Sequence, residues 1–145
     1  LTDWWTAEDA KNFEERAAVM VRQFDAFEPI PGMHINGKAT LGENIADLGG
    51  VVLGLDAFRK TEQYRKGESI RGLTPAQRYF LGYALGWLGH QREEQLRQRL
   101  LSDVHSPAKW RVNGPFADVD GFYATFGVKP GDPMWRDETE RVRIW

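Results

Sequence analysis

Residues 42–55 read Gly42-Glu43-Asn44-Ile45-Ala46-Asp47-Leu48-Gly49-Gly50-Val51-Val52-Leu53-Gly54-Leu55. On a helical wheel, Glu43, Asp47, Gly50 and Gly54 fall within about 60° of one another, while Ile45, Leu48, Val52 and Leu55 gather on the opposite side. The spacing predicts a helix from about Gly42 to Tyr64. An ordinary amphipathic helix opposes its aliphatic stripe with Lys, Gln and Glu; this one sets glycines there. Each interior glycine costs about 1 kcal/mol against alanine. Close approach of another backbone is the usual compensation, so the carboxylate face is expected to be covered too. Two ionised acids on a covered face need a partner, since desolvation costs several kcal/mol per ion. That partner is either an arginine or lysine from a neighbouring helix or a metal ion.

Working outward, Thr6 and Asp9 form a helix-start signal, and Ala10, Phe13, Ala17, Val21, Phe24 and Phe27 recur at three- and four-residue steps, predicting a helix over 6–27 that Pro29 and Pro31 end. Residues 30–40, with Pro-Gly and Asn-Gly signals, read as a loop or a short hairpin. After a polar linker at 67–72, Thr74-Pro75-Ala76-Gln77 is a capping box with proline at the first helical position. The helix it opens is expected to run to about Leu101, with Phe80, Tyr83, Ala84 and Trp87 in its first half and a charged second half holding Glu93 and Arg97. Ser106-Pro107 opens a short helix through Arg111, and Asp118 is expected to cap another that stops at Gly127. The reading is all-α, with at most one short β-hairpin, in a single domain.

The 145 residues are 41% hydrophobic and 28% charged, with net charge −2. A chain of this length buries roughly 70% of its unfolded surface, and its balance gives no reason to expect nucleic acid or an anionic membrane as partner. No apolar run approaches the ~20 residues of a bilayer-spanning helix, and no signal peptide is visible. The chain opens on Leu1, beside Trp4-Trp5, so its N-terminus reads as a cut edge. The absence of cysteine excludes disulfides and thiolate metal sites. Six Trp and eight Phe imply a heavily aromatic core or a large packed interface.

A second string, Ser102-Asp103-Val104-His105-Ser106-Pro107 with Arg111 close behind, sets an acid, an imidazole and a guanidinium beside a helix start. Asp103 can hold one ring nitrogen of His105, and the forked guanidinium of Arg111 suits a carbonyl or carboxylate oxygen. The plainer reading is a capping loop in which Asp103 and Arg111 form a local ion pair and His105 is a polar surface residue. His90 reads as solvated, and His34 has no identifiable role.

In this order and separation, the two strings resemble the C-terminal part of the neprilysin and endothelin-converting-enzyme family of zinc metallopeptidases. The likeness also takes in Trp4-Trp5, Gly49-Gly50, Trp87, Val112, Gly114, Phe122, Phe126, Met134 and Trp145. It implies the helical C-terminal part of a gluzincin catalytic domain, whose zinc is held by two histidines of an HExxH helix and a glutamate, leaving a fourth position for water. By resemblance Glu43 is that glutamate, and Asp47 orients a ligand histidine. His105 donates to the oxyanion of the tetrahedral intermediate, Asp103 fixes its ring, and Arg111 binds a substrate carbonyl. Gly86 and Trp87 line the pocket for the residue after the scissile bond, with peptides cleaved on the amino side of a hydrophobic residue.

The histidines stand at 34, 90 and 105, so HExxH is absent. The resemblance therefore leaves one metal ligand and no general base here, and the others are expected from the N-terminal remainder of the same enzyme. The chain alone is expected to be inactive. Vertebrate members carry cysteines at positions matching Leu88, Val128 and Val142, so their replacement points to a bacterial homologue, with an extracytoplasmic location favoured. The rival reading is a non-catalytic helical interaction module or inactive paralogue that keeps both strings as structural ion pairs.

Overall fold

A computed structural model describes residues 4–144; the Trp145 of the resemblance lies outside the described residues. The described residues are mainly helical: α1 (Ala7–Asp25), α2 (Leu41–Arg59), α3 (Glu62–Lys66), α4 (Pro75–Leu85), α5 (Glu93–Ser102), α6 (Ala108–Phe116) and α7 (Asp120–Phe126), then a 3₁₀ turn at Glu138–Glu140. The stretch read as a loop or a short hairpin is a loop with one isolated bridge between Ile30 and Met33; a second bridge joins Ile70 and Leu73, and the described residues contain no sheet.

Local chemistry sets most boundaries. The Thr6 hydroxyl accepts from the Asp9 amide at 3.0 Å and starts α1. The capping box at Thr74 is formed in both directions, Gln77 N to Thr74 Oγ1 at 3.2 Å and Thr74 N to Gln77 Oε1 at 2.9 Å. Gly127, in the left-handed conformation at φ 67°, ends α7 as expected.

Three boundaries differ from expectation. The helix expected to reach Tyr64 stops at Arg59 because Thr61 leaves helical geometry and caps a new one, accepting from Tyr64 N at 3.2 Å. The helix expected over 75–101 is two, broken at Gly86 through Arg92. Three glycines, Gly82, Gly86 and Gly89, weaken helical continuity there. Asp118 does not cap α7. Val119 holds that position, and Asp118 is turned inward, accepting from Val142 N at 2.9 Å and so tying down the C-terminal segment.

α2 lies at the centre, packed against α1, α4 and α6. Its Leu48, Val51 and Leu55 join Met20 and Phe24 of α1, Phe80 of α4, and Val112 and Phe116 of α6 in one core closed by Val142. Phe80 meets Phe116 and Phe122 edge-on, so phenylalanines build much of the core, whereas Trp4 and Trp5 stay exposed. The glycine face is covered differently from expectation. At Gly54 it is a side chain that approaches: the Tyr79 hydroxyl would stand 2.5 Å from an added Cβ, and it donates to Val51 O at 2.7 Å. Gly50 faces open space. With Gly42, Ala46, Leu53 and Ala57 it forms an exposed, small and apolar strip along α2.

Gly114 is the glycine the core most requires. A Cβ there would lie 2.5 Å from Phe24 Cζ, in a ring that is fully buried. Gly114→Ala is expected to destabilise by about 1–3 kcal/mol through overpacking, read by urea unfolding.

The buried Asp118 carboxyl predicts a pH effect. Burial pushes it up to about 6, against the pull of the Val142 N–H, Arg136, Gln23 and Arg143, and its Oδ2 has no hydrogen-bond partner among the described residues. The folded chain keeps this proton to about pH 6, whereas the unfolded chain releases it near 3.8. The folded state thus binds more protons in that window, so this contribution is present below about pH 4 and lost as pH rises to about 6, by about 3 kcal/mol. Asp118→Asn is expected to flatten that slope, measured as the wild-type-minus-mutant difference in unfolding free energy between pH 4 and 7.

Candidate active site

Glu43 and Asp47 sit one turn apart on α2, beside α6. Arg111, on α6, meets Asp47 with both prongs: Nε to Oδ2 at 2.7 Å and Nη2 to Oδ1 at 2.8 Å. Nη2 also reaches Glu43 Oε2 at 3.4 Å. The expected cation is therefore an arginine from a neighbouring helix. Side-chain exposure is 15% for Arg111 and 9% for Asp47, so this is a largely desolvated, bidentate pair of the strong kind. Hydrogen bonding to Asp47 holds the guanidinium above its ordinary pKa, against the opposing effect of burial.

Two aromatic residues of the α4 end complete the setting of Arg111. The Trp87 ring lies 4.2 Å from the guanidinium carbon, a cation–π contact. The Tyr83 hydroxyl donates to Arg111 O at 3.3 Å, and burial followed by the Asp47 charge pushes its pKa up to about 12. Gly86 is exposed and is the residue at which α4 ends, so the chain turns there and sends Trp87 over Arg111.

His105 enters from the loop between α5 and α6. Its Nδ1 bonds Asp103 Oδ1 at 2.7 Å, and its backbone N–H donates to the same oxygen at 2.9 Å. Asp103 accepts at Nδ1, so that nitrogen carries a proton and Nε2 faces Glu43 Oε2 at 3.3 Å. Asp103 does not pair with Arg111, contrary to the plainer reading; Arg99 holds its other oxygen, with Nε at 2.7 Å. Burial would raise the Asp103 carboxyl, but the bonds from His105 and Arg99 outweigh it and hold it at about 2.

The loop is fastened to α2 by a buried relay. Ser106 Oγ donates to Asn44 Oδ1 at 2.8 Å, Asn44 Nδ2 donates to Thr40 Oγ1 at 2.9 Å, and Thr40 Oγ1 donates to Asn36 O at 3.0 Å. Asn44 is wholly buried, so its amide is committed to this link. The structure thus brings Glu43, Asp47, Asp103, His105, Arg111 and Trp87 together. It leaves His90 exposed, and it puts His34 elsewhere, against Asp25 O at 2.9 Å.

Sequence reasoning placed none of Arg99, Tyr83, Asn44 or Ser106 in the site. Arg99 and Tyr83 each stand four residues before a residue already singled out, Asp103 and Trp87, which is the spacing that pairs side chains on a helix. Asn44 and Ser106 lay inside the quoted strings, but nothing in either string says that they meet.

Donor chemistry limits what this chain can do with a metal. Among the described residues no group of three or more His, Cys, Asp or Glu is placed to hold one. Glu43 is the carboxylate free to serve as a donor: its side chain is 40% exposed, and its contacts to His105 and Arg111 are long, at 3.3 and 3.4 Å. Asp47 is already tied by two short bonds.

The chain is 38% identical over its full length to a neutral endopeptidase of Lactobacillus helveticus, of which it covers 21%. It is 36% identical, again over its full length, to human neprilysin, of which it covers 20%. The crystal structure of the Mycobacterium tuberculosis zinc metalloprotease Zmp1 in complex with an inhibitor superposes with a TM-score of 0.90 at 38% identity, covering all of this chain and 23% of that one. The chain thus spans about a fifth of the length of the curated relatives it matches, and bacterial proteins stand among its relatives as the missing cysteines suggested. Residues 1–142 match the profile of Peptidase family M13, and with the mainly helical fold and the neprilysin relatives this places the chain in that family.

Proposed function

We propose that this chain is the C-terminal segment of the catalytic domain of a zinc metalloendopeptidase that cleaves short peptides on the amino side of hydrophobic residues. The observation that carries the reading is the convergence of His105 Nε2 and Arg111 Nη2 on one oxygen of Glu43, at 3.3 and 3.4 Å, in a chain of Peptidase family M13. Glu43 would hold the zinc, together with ligands from polypeptide outside these residues. Bound there, the metal supplies Lewis-acid polarisation of the scissile carbonyl and an activated water.

The chain's own residues supply position and charge. His105, its Nδ1 proton held by Asp103, presents Nε2 at the edge of the cluster, where the imidazolium form can donate to an oxyanion. Arg111 has five N–H donors; its bonds to Asp47 and Glu43 involve Nε and Nη2, which leaves Nη1 to bind a substrate carbonyl. Asp47 aims that guanidinium, and its remaining lone pairs can also accept from a ligand histidine. Trp87, fixed over Arg111, is one wall for an apolar side chain, and the missing side chain at Gly86 widens that wall. An extracytoplasmic location belongs to the same reading; among the described residues no helix is long and apolar enough to cross a membrane.

The test is cleavage of quenched-fluorescence peptides by the full-length protein. Activity is expected to be lost to a chelator and restored by zinc, to favour Leu or Phe over Gly after the scissile bond, and to be undetectable with these 145 residues alone. An inactive paralogue holding the Asp47–Arg111 pair only for stability would cleave none of them, whatever metal was added.

A further inference from the structure

We infer that Arg99 is a positioning residue for His105, acting through Asp103 from the last turn of α5; the inference rests on the catalytic reading of His105 given above. The Asp103 carboxylate is shared between two clients. Its Oδ1 takes the His105 ring at 2.7 Å and the His105 backbone N–H at 2.9 Å, and its Oδ2 takes Arg99 Nε and Nη2, both at 2.7 Å. The carboxylate cannot turn about its own axis without losing one set, so Arg99 fixes the plane in which Asp103 meets the imidazole.

The loop depends on that pin. Val104 is 53% exposed and supplies little packing, and Leu101, a turn earlier, is 81% exposed. On the far side of His105 the chain is held by Ser106 Oγ on Asn44, at 2.8 Å. On the near side Asp103 ends α5, its N–H on Arg99 O at 2.8 Å and its side chain in the Arg99 fork. The imidazole is therefore suspended between two anchors, the Asn44 relay and Arg99.

An ordinary exposed pair at i,i+4 would affect stability and leave turnover alone. Arg97 on Glu93, at 2.6 Å on the same helix, is such a pair, and it serves as the control.

The experiment is steady-state peptide cleavage by the full-length protein carrying Arg99→Ala, Arg99→Lys, Asp103→Asn, the double variant Arg99→Ala with Asp103→Asn, Arg97→Ala and His105→Ala. Arg99→Ala is expected to lower kcat about tenfold, the scale found for residues that orient active groups, with KM within about twofold. Arg99→Lys, which keeps the charge but loses the fork, should recover part of the loss. The double variant should be no slower than Asp103→Asn alone, and Arg97→Ala should match wild type. If Arg99→Ala fails to fold, the Lys variant, judged against Arg97→Ala, carries the same reading. Wild-type kcat in Arg99→Ala alongside a slowed His105→Ala would overturn the inference, as would losses that simply multiply in the double variant. Wild-type kcat in His105→Ala would instead overturn the catalytic reading itself.

Discussion

In the full-length protein, Glu43→Ala is expected to lose stoichiometric zinc and to cleave peptides more than about a thousandfold more slowly than wild type. Residues that only orient ligands cost 10–100-fold when replaced; a ligand lost from a three-residue set costs more, because both metal retention and its placement fail together. The same substitution should cost little stability. Glu43 is half exposed, and its two contacts here are long, so the expected change in Tm is no more than about 3 °C. Zinc by mass spectrometry and Tm by calorimetry on one preparation separate the two effects. A folded variant that retains one zinc per chain would remove Glu43 from the ligand set.

His105→Ala should lower kcat by about 10²–10³ with KM little changed, the signature of a donor used only when charge has built up on the substrate oxygen. The geometry supports the size of this effect. The ring is oriented by the 2.7 Å bond to Asp103, and its other nitrogen faces the carboxylate proposed to hold the metal. The loop should survive the substitution, since the Ser106–Asn44 relay and the Asp103–Arg99 bonds do not involve the imidazole. Zinc content is therefore expected to stay at the wild-type level, which distinguishes this variant from Glu43→Ala. A fall in kcat of less than about threefold would mean that the oxyanion is stabilised elsewhere.

Elements written in contiguous residues were the most legible. Thr6 with Asp9, Thr74 with Gln77 and Gly127 each carry a local hydrogen bond or backbone preference, and each marks a helix end in the structure. The need for a cation against Glu43 and Asp47 was also legible, because uncompensated burial of charge is forbidden wherever the chain goes.

Long-range outcomes were not. Asp118 looks like a helix cap in sequence, yet its carboxyl takes an amide from Val142, a choice settled by where the tail returns. The break after Leu85 was concealed because Phe80, Tyr83, Ala84 and Trp87 keep helical spacing. Trp87 is turned towards Arg111 on another helix instead. The glycine face was read as backbone contact, whereas a tyrosine ring fills Gly54 and Gly50 stays open. The Arg99–Asp103 contact was overlooked because the quoted string began at Ser102, although the four-residue spacing between the two was there to read.

A zinc-edge crystal structure of the full-length protein would test the central claim most directly. The account predicts anomalous density about 2.0–2.2 Å from a Glu43 carboxylate oxygen, with His105 and Arg111 bordering the same space and Arg99 still on Asp103. Zinc bound at a place where Glu43 supplies no oxygen, with that carboxylate paired only to His105 and Arg111, would contradict it.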